Sequence, residues 1–441
     1  MDPIIALATP PLKSALALLR LSGEGVFDAV AESLGMSRET FLKRKIQVGY
    51  LKHKGAVIDQ VVCFIYVAPN SFTGEDSVEI TCHGSMVIAK EILTHFYSMG
   101  IRQADRGEFS ARAFYNGKLD LIEAEAVNDL INASTVESKN VAMLSLKGET
   151  SSLLDPILKE IDEMLALIEV NIDYPEYTDI EEVNLEKIAS SCDKLHNDIV
   201  SLIKDGNQGK IIREGVKVAI VGEPNVGKSS LLNAFVEEEK AIVSAIPGTT
   251  RDIVEGDISV KGIPLHLLDT AGIRESGDFV EKLGIERSRE AIKSADLVLL
   301  ILDSSNEVQD KELLELCKTK DCITVYNKAD LLDDSQKKEG LIYISAAKKD
   351  IVKLKEAIYQ KLGLSDKAYH TPSFSNAREL ALLEKIADSL IEAKDMCANN
   401  LTSDLISSCL QEARLYGNQI IGKEASLDLS EEIFSRFCVG K

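Results

Sequence analysis

An apolar run from Val216 to Val221 passes directly into Gly222-Glu-Pro-Asn-Val-Gly227-Lys228-Ser229 and then into a helix-forming stretch. Strand, glycine-rich turn and helix in that order are the setting a phosphate-binding loop requires, and the setting is more informative than the string. Glycines let the backbone turn its N–H groups inward around phosphate oxygens. Lys228 can neutralise β- and γ-oxygens, and the Ser229 hydroxyl can ligate magnesium. The text around the loop agrees with a parallel α/β sheet. Between about 211 and 365, the runs Leu265 to Leu268, Leu297 to Leu302, Ile323 to Tyr326 and Leu341 to Ile344 alternate with helical stretches.

Three further pieces follow in a fixed order. Asp269-Thr270-Ala271-Gly272 ends one strand run, where Asp269 can bind magnesium through water and the Gly272 N–H can sense a γ-phosphate. Asn327-Lys328-Ala329-Asp330 ends another, and the Asp330 carboxylate suits the two N–H groups that guanine presents and adenine lacks. Ser345-Ala346-Ala347 can complete the base pocket, and Thr250 in Thr249-Thr-Arg-Asp252 can complete a magnesium shell. With Asn225, Val226, Gly227 and Ser230 of the first loop, this ordered set predicts GTP binding. Hydrolysis needs a different helper from that of Ras-type GTPases. The position after the second switch glycine is Ile273, which cannot hydrogen-bond water. Two candidates remain open at this level: Asn225 holding a monovalent cation, and an acid between Arg274 and Glu286 orienting the attacking water.

At 441 residues the chain exceeds what one hydrophobic core supports, so two to three domains are expected. Residues 1–118 alternate short apolar runs with breakers, as a mixed α+β domain does. From Leu119 to Leu202, apolar residues recur at helical spacing, as in Ile157, Ile161, Leu165 and Ile168, with Pro175 as an interruption. The helical period returns after 370 in Leu380, Leu383, Ile386 and Leu390, and Asp428 with Glu431 is expected to open a last helix ending near Phe437. The expected domains are 1–118, 119–210, 211–365 and 366–441, with the nucleotide domain inserted between two parts of one helical domain. There is no internal repeat or low-complexity linker.

The balance of 50 Lys+Arg against 71 Asp+Glu, a formal charge of −21, excludes a broad nucleic-acid-binding surface. RNA contact would have to be local or supplied by a basic partner. No apolar run approaches the roughly 20 residues of a bilayer span, and MDPIIALATPPLK lacks the features of a secretory signal. The expectation is a cytosolic protein with no membrane partner. Eight cysteines without a Cys-x-x-Cys pair fit reduced thiols, and Cys82-His83 alone supplies too few ligands for a metal.

The residues then resemble a known family, the tRNA modification GTPases called MnmE or TrmE, over essentially the whole chain. The resemblance rests on Ala8-Thr-Pro-Pro11, Ser71-Phe-Thr-Gly-Glu-Asp76, Cys82-His-Gly84, Gly107-Glu-Phe109, Arg112-Ala-Phe-Tyr-Asn-Gly-Lys-Leu-Asp120 and the terminal Phe437-Cys-Val-Gly-Lys441. It implies an N-terminal folate-binding and dimerising domain, a central helical domain made from two chain segments, and an inserted Ras-like G domain. It implies a homodimer that joins an FAD-binding partner subunit, MnmG (GidA), in a heterotetramer. The complex adds a carboxymethylaminomethyl-type group to C5 of the wobble uridine of certain tRNAs. A tetrahydrofolate derivative, 5-formyl- or methylene-tetrahydrofolate, is implied as one-carbon donor.

Carried over by position, Asn225 matches the family's potassium ligand, joined by Ser244, Ile246 and Thr249, with Ser244, Ala245, Ile246, Pro247, Gly248 and Thr249 lying over the nucleotide. A cation there would spread transition-state charge. Glu281, nine residues after Gly272, matches the glutamate that orients the attacking water through a second water. Arg20, Glu79, Lys118 and Lys441 match folate-contacting positions, and Cys438 matches a near-terminal cysteine assigned to the modification chemistry. Without the resemblance, Glu281 would read as an exposed helix glutamate and Cys438 as a buried structural thiol. Small departures are Val439 for isoleucine, Ala347 for lysine, and Asp105-Arg106 for Arg-Pro. The rival readings are a ribosome-assembly or other RNA-associated GTPase, and a folate-dependent aminomethyl-transfer enzyme regulated by GTP.

Overall fold

The computed structural model of the chain describes residues 1–173, 184–238, 254–268, 289–306, 311–424 and 432–440. Pro175, Asp428 and Glu431 lie outside the described residues. Two compact units result: Met1–Asn128 with Ser145–Ser191 and Glu392–Lys441, and Asp129–Leu144 with Cys192–Ile391. Each is assembled from stretches distant in sequence.

In the first unit, alternating apolar residues build the strands β1 (Ile4–Leu7), β2 (Leu16–Ser22), β3 (Ile46–His53), β4 (Ala56–Tyr66), β5 (Ser77–His83) and β6 (Arg102–Gln103). Their order is β3-β4-β5-β2-β1-β6, antiparallel throughout except for the parallel β1–β6 pair. Leu19, Leu21, Val61 and Ile80 pack on Phe27 and Phe96 from the helices Val26–Ser33 and Met86–Ser98, so one face of the sheet is covered. The helices Asp155–Asp173 and Ser403–Ile421 run together in the same unit, where a Cβ on Gly417 would come within 2.5 Å of the Leu158 side chain. Near the C-terminus, Phe434 and Phe437 pack with Leu121 and Ala124. The chain then bridges Val439 to Arg106.

The second unit holds β7 (Val216–Val221), β8 (Val254–Val260), β9 (Ile263–Leu268), β10 (Leu297–Asp303), β11 (Cys322–Asn327) and β12 (Ile342–Tyr343). Their order is β12-β11-β10-β7-β9-β8. Alternate residues serve opposite faces. Val216, Val218, Ile220, Leu297, Leu299 and Ile301 join one core, while Ala219, Val221, Val298, Leu300 and Leu302 join the other. Burial on both faces explains why these strands read as continuous apolar runs. The sheet is not wholly parallel, because β8 runs antiparallel to β9. The Lys261-Gly262 connection has φ of 50° and 82°, the left-handed pair a tight two-residue hairpin requires. The last strand is also shorter than the run Leu341 to Ile344 suggested. β9 and β10 flank β7 on opposite sides, so the loop leaving β7 sits where strand order reverses, the usual ligand position in such sheets.

Candidate functional site

The loop after β7 is shaped by two residues in the left-handed region, Asn225 at φ 64° and Gly227 at φ 97°. Gly227 also has no room for a side chain, because a Cβ there would collide with the Asn327 amide. The amide lies that close because it fastens the loop. Asn327, 2% exposed at the end of β11, donates from Nδ2 to the Val226 carbonyl at 2.8 Å and accepts from the Ala346 N–H at 3.0 Å. One buried side chain thus joins the phosphate loop to the loop after β12. The Ala346 N–H, expected at the base pocket, is occupied by this bond.

The next residues complete a polar rim. Lys228 opens the helix Lys228–Glu238 and donates from Nζ to the carbonyls of Gly222 at 2.7 Å and Glu223 at 2.9 Å. Burial pulls its pKa below that of an ordinary lysine. Ser229 and Ser230 follow in the first turn, both exposed. Asp330 accepts a 2.6 Å bond from the Ser345 hydroxyl, and that bond holds its carboxyl below the usual range, with Lys348 4.0 Å away adding to the effect. Lys328 pairs with Asp303 at 2.6 Å. Burial alone would raise Asp303, but the bonds from Lys328 and Ser305 overcome it. Asp303, at the end of an apolar strand, was not singled out from the sequence, although a carboxylate closing such a run is a signal.

The first unit holds a second polar cluster. Arg20 on β2 donates to Glu79 Oε1 on β5 from Nη2 at 2.8 Å and Nε at 3.0 Å, since the strand register places the two side by side. Its Nη1 reaches the Gly440 carbonyl at 3.2 Å, and its guanidinium lies 5.6 Å from the Phe72 ring centre. Arg20, Tyr66, Phe72, Thr73, Ser77 and Glu79 line a cavity of about 160 Å³. Phe72 and Thr73 belong to the Ser71–Asp76 motif without having been assigned to this site, and Tyr66 went unnoticed because nothing in the local text sets it apart. Gly440 fits at φ 90° with its missing Cβ 3.0 Å from Ala8, and the Gly107 N–H donates to the Cys438 carbonyl at 3.3 Å. Cys438 is exposed, unlike the buried or half-buried cysteines elsewhere in the chain. Lys118 stands outside the cavity wall, bonded to the Pro69 carbonyl at 3.1 Å.

A family model described as the MnmE helical domain matches residues 121–438, and one described as the GTP-binding protein TrmE N-terminus matches residues 3–118. A tRNA modification GTPase MnmE from Streptococcus mutans is 40% identical over 100% of this chain and 99% of the relative. Its counterpart from Aquifex aeolicus is 42% identical over 100% of both. The chain belongs to the MnmE family of tRNA modification GTPases. Among solved structures, the G domain of the T. maritima FeoB iron transporter aligns at 32% identity over 33% of this MnmE-family chain and 98% of its own, with a TM-score of 0.25.

Some positions carried over from the MnmE family are brought together and others are not described. Asn225, Val226, Gly227, Lys228, Asn327, Lys328, Asp330, Ser345 and Ala346 surround one end of the sheet in the second unit. Arg20 and Glu79 meet in the first. Ser244, Ala245, Ile246, Pro247, Gly248, Thr249 and Thr250 lie outside the described residues, as do Asp269, Thr270, Ala271, Gly272, Glu281 and Lys441. The Cys82-His83 pair points apart. Cys82 is buried in the sheet core with its thiol pushed up to about 11, while exposed His83 bonds Asp59 at 2.8 Å through Nδ1. Among the described residues no helix is long and apolar enough to cross a membrane.

Proposed function

We propose that this chain is a potassium-stimulated GTPase of the cytoplasm that helps add a carboxymethylaminomethyl group to C5 of the wobble uridine of certain tRNAs. The observation carrying the GTP half is Asn327 locking the phosphate loop to the loop that carries Ser345 and Ala346. Guanine recognition and phosphate binding are thereby one rigid unit. Asp330, kept ionised by Ser345, is suited to accept the two guanine N–H groups. Lys228 can exchange its two carbonyl partners for phosphate oxygens, gaining stronger charge-assisted bonds.

The loop also suits the ions. Asn225 lies within the phosphate turn, and its amide with Ser244, Ile246 and Thr249 would hold potassium. Ser229 and Thr250, with Asp269 through water, would hold magnesium. Such cations neutralise charge that develops on the phosphates. Glu281 is assigned to orienting the attacking water, so Glu281→Ala should slow turnover at nearly unchanged GTP affinity.

The cavity at Arg20 and Glu79 supports a tetrahydrofolate derivative. A carboxylate, a tyrosine hydroxyl and the Phe72 ring are what a flat heterocycle with a donor edge requires, and Lys118 and Lys441 would meet its carboxylates. Cys438, exposed two residues before Gly440, is assigned to the transfer chemistry. A homodimer is supported by the outermost strand β3, which leaves Ile46, Val48 and Tyr50 at 51%, 59% and 55% exposure on one face. The FAD-binding partner subunit and tRNA complete the assembly, and the helical domain is read as two segments flanking the G domain at 211–365. The deciding test is nucleoside analysis of tRNA from cells lacking this chain. Loss of the modified wobble uridine is expected, and an unchanged profile would exclude the reading.

A further inference from the structure

The chain carries a formal charge of −21, yet no Asp or Glu falls between Glu39 and Asp59, while Lys43, Arg44, Lys45, Lys52 and Lys54 all do. This stretch forms one edge of the first unit: the short helix Arg38–Leu42, the outermost strand β3 and the turn into β4. All five cations are exposed. Lys43 lies 3.8 Å from Glu39, a pair between two solvated side chains that contributes little. Arg44, Lys45, Lys52 and Lys54 make no ion pair among the described residues. Elsewhere in the same unit Arg20, Arg102 and Arg112 are each tied to a carboxylate.

The Lys43-Arg44-Lys45 turn is held on both sides. Gln47 donates from Nε2 to the carbonyls of Thr40 at 3.1 Å and Phe41 at 2.8 Å, and the Phe41 ring is fully buried. At its other end the Ile65 N–H of β4 donates to the Lys45 carbonyl at 2.9 Å. Ile65 points into the core under the helices, so Tyr66, the next residue, points to the opposite, open face. Tyr66 is 38% exposed there and lines the cavity with Arg20, Phe72 and Glu79. The backbone of the basic turn therefore runs one strand spacing, about 4.8 Å, from the strand that carries the cavity rim.

We propose that this acid-free edge, centred on Lys43, Arg44 and Lys45, holds the phosphates of a single-stranded RNA segment and brings one of its bases to the cavity rim at Tyr66. The proposal rests on the tRNA reading above. Unpaired cations gain charge-assisted bonds from phosphate oxygens and release the counterions of the strand. The rest of the acidic chain repels RNA, so a local positive edge fixes where a strand can approach. Glu79, on the same face as Tyr66, does not cancel that attraction, because Arg20 pairs with it at 2.8 Å. A base that undergoes chemistry has to leave its stack, and an exposed tyrosine ring gives an unstacked base a surface to lie on. An acidic peptide would meet the same cations but would gain nothing from Tyr66, so the pairing of cations with an aromatic rim favours RNA.

The test titrates the full chain with a fluorescent RNA hairpin carrying a uridine-rich loop, and with the same stem as a blunt duplex. Wild-type protein should bind the hairpin about tenfold more tightly than the duplex. The combined Lys43→Ala, Arg44→Ala and Lys45→Ala variant should bind the hairpin about tenfold more weakly, with the slope of log affinity against log salt reduced by about 2, each single-strand phosphate contact contributing ~0.7. A charge-matched control, Lys159→Ala with Lys318→Ala and Lys361→Ala, should behave as wild type. A 4-thiouridine in the loop should crosslink to wild-type protein within residues 43–66, a readout that no misfolded variant can affect. The proposal is overturned if wild-type protein binds no RNA or does not prefer the loop, if the crosslink maps elsewhere, if the triple variant keeps wild-type affinity and slope, or if poly-L-glutamate occupies the edge in place of RNA. In cells lacking the chain, full restoration of the modified uridine by the triple variant would overturn the RNA edge alone and leave the tRNA reading standing.

Discussion

Arg20 donates a 3.2 Å hydrogen bond to the carbonyl of Gly440, 420 positions later in the chain. The guanidinium that grips Glu79 thereby also holds the C-terminal tail against the cavity wall. Arg20→Ala should release the tail, and carboxypeptidase should then remove the terminal residues several times faster than in the wild type. Arg20→Lys should not restore protection, because an ammonium cannot span Glu79 and Gly440 with a planar fork. Equal digestion rates in all three proteins would show that the tail is held by other contacts.

Asn327→Ala strips partners from a buried carbonyl at Val226 and a buried N–H at Ala346. Such losses cost about 2–4 kcal/mol together, each unsatisfied group contributing ~1–3. Thermal unfolding should shift down by several degrees, and calorimetry should report guanine-nucleotide affinity lowered more than tenfold. Asn327→Asp should fare no better, since a carboxylate oxygen would face the Val226 carbonyl.

Asn225 occupies the left-handed region at φ 64°, so the choice of replacement matters. Alanine removes the amide and adds backbone strain of about 1 kcal/mol, whereas glycine removes the amide alone. Both variants should lose the faster hydrolysis in potassium than in sodium. Asn225→Gly should keep GTP affinity, as judged by titration. A retained potassium response in the glycine variant would refute the cation assignment.

Arg112, 3% exposed, binds Asp2 at 2.9 Å, Glu75 at 3.0 Å and Glu108 at 2.8 Å. Burial alone would raise Glu108, but bonds from Arg102, the Asp105 N–H and Arg112 bring it below 4.5, while the Arg102 bond leads in lowering Asp2 below 3.8. The unfolded chain therefore takes up these protons first as pH falls. The stabilisation is complete above the ordinary carboxylate range and is lost as pH drops through the lowered folded values. Arg112→Met should cost about 1–3 kcal/mol at neutral pH, because Glu75 and Glu108 lose a buried hydrogen-bonding partner while Arg102 still pairs with Asp2 and Glu108. It should also flatten the decline in unfolding midpoint between neutral pH and acid, which a pH series of thermal scans would measure.

Strands β7 and β10 were legible because burial on both faces selects unbroken apolar runs, and β9 and β11 because short β-rich runs stand out between helical stretches. Strand β8 was not. Gly256 interrupts its alternation at a register shift against β9, and Lys261-Gly262 is a weaker turn signal than Asn-Gly. In the same way, Glu79 beside Arg20 follows from the β2–β5 register, which no local pattern specifies.

The amino-acid order by itself determined that a phosphate loop, a guanine-reading loop and a Ser-Ala turn occur in the sequence expected of a GTPase. These are backbone-driven devices, and their residues are neighbours in the chain. Only the tertiary structure decided that Asn327 reaches Val226, 101 residues away, and that Arg20 holds Gly440. Side-chain pairs of this kind depend on strand register and on which face each residue occupies. Those are set when the sheets pack, because one residue of slip would turn every side chain to the opposite face.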